Sequence, residues 1–293
     1  MLLAAGEGTR LRPLTDECPK SLVPVGDRPI IAHRIGALRE QLGEFNLVVN
    51  AHHLAKRIVE YLQEYQPNAQ VVVESNLRGT AGGIFGARHL LGKGPVLVIN
   101  ADVISGTNCL KLLSIASKGG LVLSLVPRPL GQGTVGVDDK GFVVRLRGEI
   151  FGREATGGDY VGIAALGPDV LDNMPVQGCL IGDWAMPTLR SGGRIRTLND
   201  DAPWTDIGNP LAYANANESW LETRGMQYWV ASGAHVTAGT KLANTIVGQG
   251  AQVTATGLLE RVIIWPYAHL DKPITNAVVT RSGRVVPLPL PRH

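Results

Sequence analysis

Short apolar runs alternate with amphipathic stretches over the first two thirds of the chain. Residues 1–5, 45–50, 70–74, 95–100 and 121–126 are rich in consecutive aliphatic side chains, the pattern of strands buried on both faces. Between them, residues 30–42, 54–65, 81–91 and 109–117 read as helices. In the second of these Leu54, Ile58, Tyr61, Leu62 and Tyr65 repeat with a helical period. This alternation predicts an α/β fold, a mostly parallel, Rossmann-like sheet with helices on both faces. Ligands on such sheets bind beyond the carboxyl ends of the strands, which says where to look for chemistry. From about residue 121 to 166 the helical period stops. Residues 132–138, 142–146 and 159–166 read as antiparallel strands, with Asp138-Asp139-Lys140-Gly141 as a hairpin turn. They predict a wall on one side of the sheet. Helical patterns return at 183–190 and 210–223.

After about residue 225 the texture changes. Gly233-Ala234-His235-Val236, Gly250-Ala251-Gln252-Val253 and Tyr267-Ala268-His269-Leu270 repeat one motif. Aliphatic residues recur six positions apart: Val230, Val236 and Leu242, then Val247, Val253 and Leu259, then Ile264 and Leu270. A hexapeptide period predicts a parallel β-helix of about three coils, each strand stacking on its copy one coil later. The expected division is therefore a domain over 1–225 and a β-helix domain over 226–293. The repeat holds no convergent polar cluster, so it is expected to serve assembly or stability rather than chemistry. Its exposed ends predict a homo-oligomer.

Composition narrows the class. Of 293 residues 44% are hydrophobic and 18% charged, which is globular. Lys+Arg 28 against Asp+Glu 25 gives a net charge of +3, too balanced for a protein that coats nucleic acid or an anionic membrane. No apolar run is long enough to span a bilayer, and the charged Glu7 comes too soon for a signal peptide. The three cysteines are far apart and form no CxxC pair, so neither a disulfide framework nor a zinc site is expected. A cytoplasmic protein follows.

The strongest chemical signal is at the front. Leu3-Ala4-Ala5 ends a strand, and Gly6-Glu7-Gly8-Thr9-Arg10 follows as a glycine turn. Gly6 and Gly8 let backbone approach a ligand, and successive N–H groups there form an anion nest. Arg10 offers a planar fork suited to phosphate and Lys20 a compact positive charge. No Gly-Lys-Ser/Thr follows, so this is not a Walker loop. The third glycine of the dinucleotide fingerprint is also missing. Two carboxylates stand at strand ends: Asp102 after an apolar run, and Asp206 in Trp204-Thr205-Asp206-Ile207-Gly208. His52 and His53 have no third ligand nearby and read as capping or packing residues. Trp184, Trp220, Trp229 and Trp265 read as packing anchors.

The pattern GxGTRLRPLT…PKxLVPV resembles the sugar-1-phosphate nucleotidyltransferases, or nucleotide-sugar pyrophosphorylases, and most of all the mannose-1-phosphate guanylyltransferases. The resemblance covers nearly the whole chain, since many members end in a left-handed β-helix. It implies attack of a sugar 1-phosphate on the α-phosphorus of a nucleoside triphosphate, giving a nucleotide-sugar and pyrophosphate. It implies that Arg10 stabilises the leaving pyrophosphate, that Lys20 binds phosphate, and that Mg2+ is held by Asp102 and Asp206. Leu3, Ala4, Gly6, Gly8 and Thr9 belong to the nucleotide site. So do Glu74 and the Gly79-Thr80-Ala81-Gly82 run, which resembles the base-binding stretch of the guanylyltransferases. Gly136, Tyr160 and Gly162 fall at the family's sugar-contact positions. Two departures bear on the substrate. Ala101 stands where the family has glycine, and Leu146-Arg147-Gly148-Glu149 lacks the lysine that holds the sugar phosphate, leaving Arg145, Arg147 or Arg153 as substitutes. The alternatives are a UTP-dependent amino-sugar-1-phosphate uridylyltransferase and a non-catalytic, nucleotide-sugar-binding regulatory subunit. The presence of Arg10, Lys20, Asp102 and Asp206 favours an enzyme.

Overall fold

The computed structural model describes residues 1–289. They form two compact units, one of residues 1–7 with 34–204, the other of residues 8–33 with the chain from 205 onward. The division is not a single cut of the chain: the signature loop groups with the C-terminal repeat.

The first unit is built on a mixed sheet. Its strands are β1 (Leu2–Leu3), β2 (Val48–Ala51), β3 (Gln70–Val73), β4 (Val96–Asn100), β5 (Leu121–Arg128), β6 (Val135–Val137), β7 (Val143–Leu146), β8 (Glu149–Ile150), β9 (Thr156–Leu166) and β10 (Arg196–Asn199). The order is β8-β7-β6-β9-β4-β1-β2-β3, with β5 on β9 and β10 on β5. Strand β1 lies at the centre, parallel to β2 and β4, with Leu2 beside both Val49 and Ile99. The expected parallel sheet is thus present at β4-β1-β2-β3, and the expected antiparallel wall at β6 to β9. Asp138 closes the hairpin between β6 and β7, its side chain accepting from the N–H groups of Lys140 and Phe142.

The longer helices are α1 (Ile30–Leu42), α2 (Ala55–Tyr65), α3 (Gly79–Ala87), α4 (Cys109–Ala116) and α5 (Pro210–Glu222). In α2 the buried residues are Ile58 and Leu62, on the face that the period marked. Ala81, Ile84, Val96, Val98, Leu121, Leu123 and Ala164 close the core of the first unit. Each large aliphatic side chain buried there contributes about 1.5–3 kcal/mol. Two expectations shift. The apolar run at 1–5 yields only two strand residues, because the Ala4 N–H leaves the ladder for the side chain of Asn50. The helix expected at 183–190 is a wide π turn, Leu180–Ala185, running into an α turn, Met186–Arg190.

In the second unit, residues 8–29 run as single turns and a two-strand hairpin: Thr9–Leu11, Leu14–Glu17, Lys20–Leu22, then Pro24–Val25 against Arg28–Pro29. Helix α5 packs on this segment. The buried Tyr213 donates its hydroxyl to the Pro24 carbonyl, and Asn217 accepts from the Gly26 N–H. Trp265, from the repeat, donates its indole N–H to the same Tyr213 hydroxyl.

The repeat forms stacked parallel strands. Tyr228 pairs with Thr245, His235 with Gln252 and Ile246 with Ile263, so one coil takes 17 residues. The last coil is two residues shorter, with Val262 beside Ala277. Asn244, Arg261 and Asn276 occupy the equivalent corner in successive coils, all with positive φ. Val247, Val253, Leu259, Val262, Ile264, Leu270 and Val279 fill the interior. The strand Val285–Pro287 then returns antiparallel on Thr275–Val279. Among the described residues no helix is long and apolar enough to cross a membrane. All three cysteines are free thiols.

Candidate active site

In the first unit a chain of buried hydrogen bonds joins the carboxyl ends of β1, β2 and β3. Asn50 Oδ1 accepts from the Ala4 N–H at 2.9 Å, and Asn50 Nδ2 donates to Glu74 Oε1 at 2.7 Å. Glu74 Oε2 accepts from the Arg78 N–H at 3.1 Å. Asn50 is 2% and Glu74 4% exposed. Glu74 therefore fixes the Leu3-Ala4 strand end relative to the turn that opens α3. Asn50 was not singled out in the sequence; its signal was an amide closing an apolar run. The His52 ring also hydrogen-bonds to the Glu74 carbonyl, at 2.9 Å.

The Gly79-Thr80 turn sits beside this network. Gly79 has φ +75°, and a Cβ there would lie 2.4 Å from the Gly178 carbonyl oxygen. Thr80 Oγ1 accepts from the Leu180 N–H at 2.7 Å. Leu3, Ala4, Glu74, Gly79 and Thr80 are thus linked through hydrogen bonds and sequence neighbours. Gly6 is exposed, and a Cβ there would meet no protein atom within 4 Å.

Asp102 follows β4 and is half-buried. The neighbouring strand end carries Gly162, at φ +74°, where β9 slips register between Tyr160 and Ala164. A Cβ on Gly162 would come within 2.6 Å of the Asn100 side chain, two residues before Asp102. So one predicted sugar-contact position does lie against the strand that leads to Asp102. Tyr160 is half-buried; burial first, and Cys179 second, push its phenol well above the usual value.

Gly136 lies under an ion pair. A Cβ there would touch Glu154 and Arg145, whose side chains meet at 2.8 Å. Arg145 also donates to the carbonyls of Gln132 and Gly133. The hydrogen bond from Arg145 holds the Glu154 carboxyl below its usual range, against a smaller opposing effect of burial. Arg145 is therefore committed to bracing the 131–133 loop, which leaves Arg147 and Arg153 of the three arginines. Arg147 is exposed at the β7–β8 hairpin, with Nη2 3.6 Å from Cys179 Sγ.

In the second unit the signature loop folds around one carboxylate. Gly8 has φ +63°, and a Cβ there would press on Thr15 at 2.8 Å and Lys20 at 3.2 Å. Only glycine lets the loop close. Thr15 donates its hydroxyl to the Gly8 carbonyl, and Thr9 starts the turn carrying Arg10. Lys20 Nζ donates to Asp206 Oδ1 at 3.2 Å, and Arg10 stands 3.7 Å from Asp206 Oδ2. Lys20 is 13%, Asp206 35% and Arg10 71% exposed at the side chain. Three predicted residues that are distant in sequence thus converge. Two cations beside one carboxylate make a place for charges of both signs, suited to a polyphosphate and its cation. Among the described residues no group of three or more His, Cys, Asp or Glu side chains is placed to hold a metal.

Comparison with known proteins bears on this arrangement. A family profile described as Nucleotidyl transferase matches residues 1–147. Probable mannose-1-phosphate guanylyltransferase 1 of Oryza sativa subsp. japonica is 29% identical over 271 residues, covering 86% of this chain and 74% of its own. Mannose-1-phosphate guanyltransferase 2 of Candida glabrata is 31% identical over 240 residues, covering 76% of this chain and 64% of its own. Among solved structures, HddC from Yersinia pseudotuberculosis complexed with GMP-PN superposes with a TM-score of 0.63 at 24% identity, over 75% of this chain and 97% of that one. That likeness is one of fold. The profile spans half of the chain and starts at the strand feeding the signature loop, and on that match this chain belongs to the nucleotidyl transferase family.

Proposed function

We propose that the chain transfers a guanylyl group from GTP to a sugar 1-phosphate of the mannose type, releasing pyrophosphate. The convergence of Arg10 and Lys20 on Asp206 carries this reading. The names of the relatives in Oryza and Candida supply the base and the sugar.

Lys20, nearly buried, holds a fixed positive charge against phosphate. Arg10, exposed on its turn, offers two parallel donors to the leaving pyrophosphate and gains most as charge builds there. The anion nest at Gly6 and Gly8 presents backbone N–H groups. Glu74 and Asn50 keep the Ala4 backbone and the Gly79-Thr80 turn in place for the base. Gly136, Tyr160 and Gly162 line the sugar side, and Arg147 or Arg153 supplies the cation that the missing lysine would have given. Asp102 in the first unit and Asp206 in the second each bring hard carboxylate oxygens, the donors that magnesium prefers when phosphates complete its shell. When bound, it neutralises charge on the triphosphate. The reading includes left-handed winding of the repeat, a homo-oligomer and a cytoplasmic setting.

A second reading keeps the chemistry and changes the substrates to UTP and an amino-sugar 1-phosphate. The commitment of Arg145 to Glu154 and the absent lysine favour a sugar pocket of altered specificity. Four nucleoside triphosphates tested against several sugar 1-phosphates, read by pyrophosphate release, separate these. The highest kcat/KM is expected for GTP with mannose 1-phosphate. A preference for UTP with an amino sugar installs the second reading, and no release from any pair points to a regulatory subunit.

A further inference from the structure

The loop bearing Arg10 and Lys20 is made of single turns, and its middle is held from outside. Glu17 ends the turn Leu14–Glu17, between Arg10 and Lys20 in sequence. Its Oε1 accepts from Thr280 Oγ1 at 2.9 Å and from Ser282 Oγ at 2.7 Å, and its Oε2 from the Ser282 N–H at 3.4 Å. Thr280 is fully buried. Burial raises the Glu17 carboxyl, but the bonds from Ser282 and Thr280 outweigh it and hold the group below its usual range. Beside this contact Arg284 lies 3.4 Å from Asp16, an exposed pair that adds little.

The donors belong to one tight turn. Gly283, at φ +83°, donates its N–H to the Thr280 carbonyl, and Thr280 donates to the Arg284 carbonyl. This turn joins the last parallel strand of the solenoid, Thr275–Val279, to the returning strand Val285–Pro287. It is therefore anchored on both sides by sheet pairing, unlike the loop it touches.

We propose that the turn at 280–284 braces the phosphate-binding loop, and that Glu17 is a positioning residue for phosphoryl transfer. The inference rests on reading that loop as the pyrophosphate site. Glu17 touches no reacting atom in this account. Its two hydroxyl partners fix the turn between Arg10 and Lys20, and so the angle at which both side chains reach Asp206. Phosphoryl transfer depends chiefly on positioning, and misplacement by about 1 Å can cost two orders of magnitude. The solenoid then supports the chemistry without supplying a group to it.

The test uses the full chain with Thr280→Val/Ser282→Ala, with Ser282→Ala alone as a milder surface change, and with Glu17→Gln, which keeps one acceptor oxygen. Amide hydrogen exchange, titration with inorganic pyrophosphate, and kcat and KM with GTP and mannose 1-phosphate are measured. In the double variant, exchange over residues 9–22 is expected to rise and kcat to fall by about tenfold each. Pyrophosphate should bind more weakly, while the strand Gly257–Ile264 exchanges as in the unaltered chain. Ser282→Ala should show the same changes, smaller, and Glu17→Gln should retain most of the activity. Unchanged exchange in the loop, or a loosened loop with unaltered pyrophosphate affinity, overturns the brace. If the unaltered chain turns over no substrate pair, the proposed function fails separately, and exchange with pyrophosphate titration still decides the brace.

Discussion

Asp206 accepts from Lys20 and faces Arg10, so removing its carboxylate takes away the negative charge that both cations face. Asp206→Asn keeps the shape and removes the charge. It is expected to lower kcat by at least about a hundredfold with an unchanged circular dichroism spectrum; near-normal turnover at saturating magnesium would remove Asp206 from the site. Arg10 is different, because it is exposed and, in the proposed function, faces the charge that develops on the leaving group. Arg10→Ala should lower kcat about a hundredfold and raise the KM for triphosphate much less. A raised KM with kcat intact assigns it to ground-state binding instead. Asn50 works through structure. Asn50→Ala strips a partner from the Ala4 N–H and from the buried Glu74. Urea unfolding should show a loss of about 1–3 kcal/mol, the cost of unsatisfied buried groups. Arg10, Lys20 and Asp206 were singled out by residue type and motif, and the structure brings the three together. Asn50 was not, because an amide after an apolar run looks like any strand end until its partners are known.

Helix α2 followed its helical period and strand β4 its continuous apolar run. Helix α2 and strand β4 begin and end within a residue or so of the expected places. The departures come from single side chains or backbone positions acting across the fold. Asn50 takes the Ala4 N–H and shortens β1. The bend in β9 is set by Gly162, which carries positive φ and abuts Asn100. Gly162→Ala places a methyl group into that amide and strains the backbone. It is expected to cost about 1–3 kcal/mol of stability in thermal or urea unfolding. It should also weaken sugar-phosphate binding, read as a higher KM. A variant as stable as the parent would show that β9 can relax its register there. The hexapeptide period announced parallel stacking but not its bookkeeping: coils of 17 residues, one short coil, and an antiparallel return strand.

At the scale of the molecule the two compact units are residues 1–7 with 34–204 and residues 8–33 with the chain from 205 onward. Residues 8–33 group with the C-terminal repeat, through Tyr213, Trp265, Thr280 and Ser282. Truncation after Gly225 therefore does more than trim an assembly element. It uncovers the buried Tyr213 and releases Glu17. The shortened chain is expected to melt at least about 5 °C lower and to lose most of its turnover. Full activity in a folded 1–225 fragment would restore the simple view of the repeat as a stability module. The sequence by itself determined the α/β class and the parallel repeat, and it singled out Arg10, Lys20 and Asp206 as candidates for the chemistry. Each of those rests on local information: a period, a turn, or a residue type with few uses. The tertiary structure alone decided that Lys20 meets Asp206, that Glu74 is held by Asn50, that Arg145 is tied to Glu154, and that Glu17 accepts from Thr280 and Ser282. Those pairings join positions 9 to 265 residues apart. No pattern along one chain encodes which distant polar groups satisfy one another, because that depends on where packing of the apolar faces brings the strand ends and turns.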